Sequence, residues 1–482
     1  MAPEALPPQP ILPPIVRAAL PAEVHEYVSA LEQREVALEA LIARLATRVA
    51  ELEVRLGKDS RTSSRPPSSD PPWKGRPPQS PSGRTRGGQP GHEGSSRLVL
   101  APEAVDAVEE HWPEQCPDCG TALSRDAAGA VVREQVWEVP VSRATVTEHR
   151  LQAVRCGGCQ RLVRAQRPRD GSIGHSGPRL AAVVALLHGR YRVSAREVQG
   201  LLGDLWSVSL GLGTVAGLWQ RGGEALEAGY AEAQGALEQA AQVNADETSW
   251  RQRGAKRCLW VATTDTCSVF RVAASRGAKE LAPLLGEGFG GIVGSDRFRA
   301  YDTLPLERRQ VCWAHLTRDF AGYAQYGGAV GAWGQAALVE EQALFARWHR
   351  FRRGELSRAD LQTETAPIQT RLRALLEQGQ QQEPMRGFCR ELLRLWPALW
   401  TFLAVEGVEP TNNAAERALR PAVLWRKGSF GTQSEAGDRF AERILTIATT
   451  SKQQGGQLLS YLTASVTAHA TGLPAPALLP AL

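Results

Sequence analysis

Val243–Trp250 reads VNADETSW, an alternating stretch with an aspartate at its centre. Beyond it come Cys258–Thr263 (CLWVAT) and Ser268–Ala273 (SVFRVA), two further runs of strand-forming residues. A helix fits Ala278–Leu285, another strand fits GIVGSD ending at Asp296, and RRQVCWAHL (Arg308–Leu316) reads as one more. In this order of elements Asp246 lies in the first strand and Asp296 closes the fourth.

Three strands, a helix and a strand are the opening of an RNase H-like α/β core. In that arrangement the two aspartates become neighbours on adjacent central strands, although 50 residues separate them. A third acid is available in Glu416, within PTNNAAERALRP, where Thr411 or Asn412 can cap a helix that carries it toward the strands. Clustered carboxylates of this kind hold two divalent metals about 3.5–4 Å apart for in-line phosphoryl displacement. Oxygen ligands suit Mg²⁺ or Mn²⁺ rather than zinc. Glu247 and Asp302 adjoin these acids in sequence and are expected to stand outside the set. His315 is either a phosphate contact or a structural histidine, and Cys312 and Trp313 read as core.

Upstream, the chain changes texture repeatedly. Residues 1–21 are Pro-rich and read as disordered. Within residues 22–57, Leu31, Leu38, Leu45 and Leu52 recur every seven positions, with Val28, Ile42, Val49 and Leu56 between them and Glu35 the polar exception. That repeat predicts a leucine-zipper-like coiled coil and hence a homo-oligomer, in first place a dimer. An amphipathic helix packed on its own domain is the alternative.

Residues 58–100 are rich in Pro, Gly, Ser and Arg. The 482-residue chain carries 56 Lys and Arg against 51 Asp and Glu, a net charge of +5. Between Lys58 and Arg97 eight basic residues face three acidic ones, so the whole excess sits in this arm. A solvated linker is one reading. Arg65, Lys74, Arg76, Arg84 and Arg86 are instead spaced to track phosphates, and the arm is expected to touch DNA.

Residues 101–170 contain CPDCG (Cys116, Cys119) and CGGC (Cys156, Cys159), flanking strand-like segments near Val131–Val139 and Val146–Val154. Two such knuckles predict a zinc ribbon with four thiolates closing one structural Zn²⁺ site. Residues 171–241 are helical. Ser194 and Glu197 form a capping box, and a break near Ser207–Leu212 reads equally as a helix-turn-helix or as plain helix packing. Residues 242–450 are expected to form the catalytic domain, within which about 317–405 are rich in Leu, Ala, Arg and Gln and read as helical, and residues 451–482 a tail.

Composition excludes collagen and disulfide-dense miniproteins, since 43% of residues are hydrophobic and 22% charged. The longest apolar run, Leu180–Leu187, falls far short of a membrane span. With no basic, apolar leader and four of the eight cysteines in CxxC pairs, the expected compartment is the cytoplasm.

Several motifs then occur together and in order: SRPPSSD (Ser64–Asp70), GGQPGHEG (Gly87–Gly94), the two CxxC pairs, ADET (Ala245–Thr248), SDRFRAY (Ser295–Tyr301), CWAHLTRDF (Cys312–Phe320), NNAAERALRP (Asn412–Pro421) and RKGSFGTQSEAG (Arg426–Gly437). In these the chain resembles the transposases of the insertion sequence 66 family, of the DDE class, from the heptads to about residue 462. The resemblance implies that Asp246, Asp296 and Glu416 are the DDE triad and that a helical insertion separates the last two. It implies binding to terminal inverted repeats, release of 3′-hydroxyl ends, their joining to target DNA, and in some cases accessory proteins of the same element. The arm departs from the family's Asn-Ser-Ser-Lys-Pro-Pro form, having Ser63-Ser64-Arg65. Arg417, Arg420, Arg426 and Lys427, on or after the helix of Glu416, are candidates to hold a DNA backbone, a solvated helix face being the alternative for each.

Overall fold

The computed structural model describes residues 16, 19–57, 99–125, 129–167 and 169–480. The chain divides into two compact units, one drawn from Met1–Pro71, His149–Gly200 and Leu210–Leu482, the other from Pro72–Glu148 and Leu201–Ser209.

Helix α1 (Ala22–Gly57) carries the heptads. Leu31, Leu38, Leu45 and Leu52 remain 41–55% exposed on it. The hairpin of β1 (Ala153–Arg155) and β2 (Leu162–Arg164) follows. Next come α2 (Pro178–Ala185), continued by a wider turn to Arg190, α3 (Ala195–Trp206), α4 (Leu212–Glu224) and α5 (Glu227–Glu238). The expected capping box opens α3: the Ser194 N–H donates to Glu197 Oε2 and the Glu197 N–H to Ser194 Oγ.

The central sheet has five strands: β3 (Gln242–Gln252), β4 (Ala255–Thr263), β5 (Ser268–Ala273), β6 (Ile292–Ser295) and β7 (Arg309–Val311). Their order is β5-β4-β3-β6-β7. Strands β3, β4 and β5 are antiparallel neighbours, while β6 and β7 run parallel to β3. The short helix α6 (Leu281–Leu285) makes the crossover to β6.

After β7 the insertion consists of α7 (Trp313–Ala324), α8 (Gly328–Arg352), α9 (Arg358–Gly379), α10 (Arg386–Arg394) and α11 (Thr401–Ala404). It has its own core, in which Trp313, Phe320, Leu361, Leu372, Leu392 and Phe402 are all within 1% of full burial. Helix α12 (Asn413–Ser429) returns to the sheet and packs on β3 and β4; α13 (Glu435–Gln453) packs on β5. Trp260, Phe270, Trp425, Phe440 and Ile444 belong to the core that joins these layers.

Three expectations need correction. The segments Val131–Val139 and Val146–Gln152 form no strands, and Val131, Val136, Val141 and Val146 are at least 85% exposed. β-Branched content favours a strand only where a partner ladder and a facing core receive it. The last strand is only Arg309–Val311, because Cys312 turns the chain into α7. The stretch 451–482 contains α14 (Leu458–Thr471), which packs against α2, with the Leu478 and Leu479 N–H groups donating to Glu232. Among the described residues no helix is long and apolar enough to cross a membrane.

Candidate functional site

The site begins with strand register. Strands β3 and β6 pair Gln242 with Ile292, Val243 with Val293 and Asn244 with Gly294. The ladder ends there, two residues short of Asp246 and Asp296, whose charges nonetheless interact, and alternation along β3 puts Asp246 on the face of Asn244 and Thr248. That face is the one beneath α12, since Arg426 reaches from the helix to Thr248 Oγ1 at 2.8 Å, two residues along the strand from Asp246. Glu247 points the other way into a buried cluster. Arg276 donates to it at 2.8 Å and 2.5 Å, and the Tyr301 hydroxyl at 2.7 Å.

Glu416 lies in the first turn of α12. Asn412 occupies the N-cap position but does not cap with its side chain. Its Nδ2 donates to the Ala245 carbonyl at 2.8 Å, and its N–H donates to Cys312 Sγ at 3.1 Å. These bonds tie the start of α12 to the residue before Asp246 and to the start of α7. Glu416 Oε1 stands 3.7 Å from His315 Nε2 and 3.5 Å from Arg318 on α7. Asp296 is oriented by the Phe298 N–H, which donates to its Oδ1 at 2.8 Å, and Arg309 donates to its carbonyl.

Electrostatics join the three acids. Burial raises the Asp246 carboxyl well above its ordinary range, and the charges of Glu247, Asp296 and Glu416 push it the same way. Burial also holds His315 down to about 3, helped by Arg318 and Arg297, so its imidazole is neutral at physiological pH. The spacing of Arg318 from His315 within the first turns of α7 is the one signal in the sequence that points to it.

A cleft of about 1020 Å³ opens beside Asp296 and His315. Arg297 crosses it, bonded to Asp319 at 2.5 Å and Glu391 at 2.6 Å, and so ties the end of β6 to the insertion. Arg299 and Arg390 line the cleft from exposed positions. Neither was singled out from the sequence. Asp302 is engaged by Arg309 and Arg394, as befits an acid outside the set.

Of the basic residues on α12, Arg417, Arg420 and Lys427 are exposed, whereas Arg426 is bonded to Thr248 and Ser249. Arg65, Lys74, Arg76, Arg84 and Arg86 lie outside the described residues.

The donor set of Asp246, Asp296 and Glu416 is all oxygen and fits a hard divalent cation, whose charge would relieve their mutual repulsion. Among the described residues no three His, Cys, Asp or Glu side chains converge closely enough to hold an ion as they stand. Glu416 is turned toward Arg318 and His315 instead.

The cysteine knuckles share one backbone pattern. The Cys116 N–H donates to Thr121 O and the Gly120 N–H to Cys116 O, each at 2.9 Å. The Cys156 N–H donates to Arg161 O and the Gln160 N–H to Cys156 O, again at 2.9 Å. In both turns the fifth residue has positive φ, 71° at Gly120 and 59° at Gln160. Hydrogen bonds from Thr121 lower the Cys119 thiol, and backbone hydrogen bonds from Cys159 and Gly158 lower Cys156, which favours the thiolate a metal requires. The two pairs fall in different units of the chain.

A mixed α/β core, an all-helical insertion and paired cysteine knuckles define a multidomain protein with a zinc-finger region. The chain belongs to the Transposase IS66 family, whose model matches residues 174–439, more than half of its length. Residues 113–160 match the zinc-finger binding domain of transposase IS66, which supports a structural zinc, and residues 11–98 a family of unknown function (DUF6444). The chain is also 31% identical over 232 residues to the uncharacterized protein y4qI of Sinorhizobium fredii, covering 44% of this chain and 42% of that relative. It thus spans less than half the length of the curated relative it matches.

Proposed function

We propose that the chain is a DDE transposase that binds terminal inverted repeats, cleaves DNA at the element's ends and joins the 3′-hydroxyls to target DNA. Its catalytic core is read as RNase H-like, which the β5-β4-β3-β6-β7 order supports, with three antiparallel strands and two parallel ones. The observation that supports the proposal most is the β3–β6 pairing up to Asn244 and Gly294, two residues before Asp246 and Asp296, together with the electrostatic interaction of Asp246 with Asp296 and Glu416.

In this reading Asp246, Asp296 and Glu416 hold Mg²⁺ or Mn²⁺, two ions in all, which activate water or a 3′-hydroxyl and stabilise the leaving oxygen when bound. The protein's own residues do the rest. Asn412 fixes Glu416 over β3 through its bond to Ala245. Arg318 pairs with the Glu416 carboxylate at 3.5 Å. Arg299, Arg390, Arg417 and Arg420 are exposed where they can position the DNA backbone without specifying sequence.

The exposed leucines of α1 support a dimer through a coiled coil. Helices α3 and α4 are read as the helix-turn-helix-like contact with the inverted repeats, and the four knuckle cysteines as ligands of one structural Zn²⁺. The basic arm would touch DNA beside them, with accessory proteins of the same element assisting. The protein would work in the cytoplasm, at the nucleoid when bound to DNA.

A cleavage and strand-transfer assay on donor DNA carrying the element's ends tests the proposal. Asp246→Asn should bind that DNA as the wild type does and cut it roughly 10³-fold more slowly or worse, about 4 kcal/mol of transition-state stabilisation. Undiminished Mg²⁺-dependent cleavage by Asp246→Asn would sink the assignment. Cleavage by the wild type with no joining would make the chain a nuclease.

A further inference from the structure

We propose that Phe430 is a nucleobase-stacking residue, set in a basic patch that engages DNA some distance from the carboxylates. The proposal rests on the DNA-acting reading above and extends it to a contact outside the cleft.

Phe430 ends α12 in a left-handed conformation (φ 61°, ψ 10°), and its N–H donates to the Arg426 carbonyl at 2.8 Å. Glycine is the usual occupant of that position, because a side chain there is strained. The phenylalanine there is 73% exposed and contributes little burial in return. The backbone beside it is nonetheless firmly held. Gly431 (φ 112°) leaves no room for a Cβ against the Arg251 carbonyl. The Thr432 N–H donates to that carbonyl at 2.9 Å, and the Arg253 N–H donates to Thr432 O at 2.8 Å. A fixed backbone thus presents a solvent-facing aromatic ring.

The surroundings of the ring are cationic. A cavity of about 480 Å³ beside Phe430 is lined by Arg251, Lys256, Arg257, Arg426 and Lys427, from the β3–β4 hairpin and the end of α12. Arg253, at the hairpin tip, is exposed as well. An acid within electrostatic reach of Arg257 is Asp438, which is buried and bonded to Thr432 and Gln252. Cations that track a backbone around an aromatic face are the chemistry of a strand of nucleic acid with an unstacked base.

The patch is aligned with the carboxylates. Arg251 lies five residues along β3 from Asp246, about 17 Å at strand rise. Phe430 lies fourteen residues along α12 from Glu416, about 21 Å at helical rise. Arg417, Arg420 and Lys427 fall on one exposed stripe of that helix. At about 3.4 Å per base, a duplex following the stripe would meet Phe430 roughly five to six steps from the carboxylates.

The test uses the full chain and two oligonucleotide duplexes of the element's end sequence, one blunt and one with a short single-stranded extension carrying 2-aminopurine. Wild type should prefer the extended duplex and quench the probe. Phe430→Ala should lose that preference, about tenfold in affinity at the usual worth of one stacked base, and lose the quench. Binding to the blunt duplex should stay unchanged, and Phe430→Trp should restore both effects. Phe430→Gly should raise the melting temperature, because it relieves the left-handed position, while losing the preference as Phe430→Ala does.

Equal affinities and undiminished quenching in Phe430→Ala would overturn the inference and leave the transposase reading intact. So would a change of oligomeric state in Phe430→Ala with DNA binding unaltered, since the ring would then be a protein contact. A wild-type chain that binds neither duplex would remove both this inference and the reading beneath it.

Discussion

The five-stranded sheet and the knuckle region, residues 99–167, are both rich in valine, and they use it in opposite ways. In the sheet Val243, Val261, Val269 and Val293 are buried to within 2%, packed with Trp260 and Phe270 beneath α12 and α13. In the knuckle region Val131, Val136, Val141 and Val146 face solvent, and among the described residues helix and strand are confined to the β1–β2 hairpin and one 3-10 turn. The sheet holds its site by packing. The knuckles hold theirs by two backbone turns, and by the proposed metal. A buried core can carry repelling carboxylates because burial elsewhere outweighs them; a region with little core depends on its ligands.

The two regions should therefore fail differently. The largest effect expected is that of Asp246→Asn, which removes cleavage while the fold gains a little, because a buried carboxyl flanked by three like charges is relieved. Calorimetry should show a melting temperature equal to or above that of the wild type. Trp260→Ala, at a fully buried position, should cost about 3–5 kcal/mol in denaturant unfolding.

Cys156→Ser should release the zinc, measured by metal analysis under reducing conditions, and expose residues 113–160 to limited proteolysis while the sheet melts as before. A knuckle region that stays protected without zinc would break the comparison.

A smaller effect is tied to pH. Burial raises Glu442 on α13 to about 7, although it accepts the Val272 N–H at 2.7 Å. A carboxyl whose folded value lies above its unfolded one contributes stability in full below about 4.5 and loses it as pH rises through about 7. Unfolding free energy should fall over that window by about 3 kcal/mol at most, and Glu442→Gln should flatten the fall. Smallest of all, Val141→Ala, at a residue 99% exposed, should stay within about 0.5 kcal/mol of wild type.

The sheet was legible because its signals are local. Alternation in Val243–Trp250 sets a strand, and a run that ends in Asp296 sets the aspartate at a strand end. The helical insertion is implied by the family resemblance, and the composition of residues 317–405 agrees with it. What stayed hidden depends on long-range partners. Arg297 bonds Glu391 across 94 residues of sequence, Asn412 leaves its cap to hold Ala245 across 167, and Arg318 meets Glu416 only once the insertion has folded. The strand expected near Val131–Val139, and most of that expected at Val146–Val154, failed for the converse reason: local propensity was present, and the surface to bury it was not.

The central claim is that Asp246, Asp296 and Glu416 share one divalent-metal site. Replacing Mg²⁺ with Fe²⁺ and adding ascorbate generates hydroxyl radicals at the bound ion, which cut nearby backbone. The full chain should be cut near residues 246, 296 and 416, far apart in sequence, with Mg²⁺ competing and Asp246→Asn abolishing all three cuts together. Cuts confined to other segments, or cuts at these three that survive in Asp246→Asn, would contradict the claim.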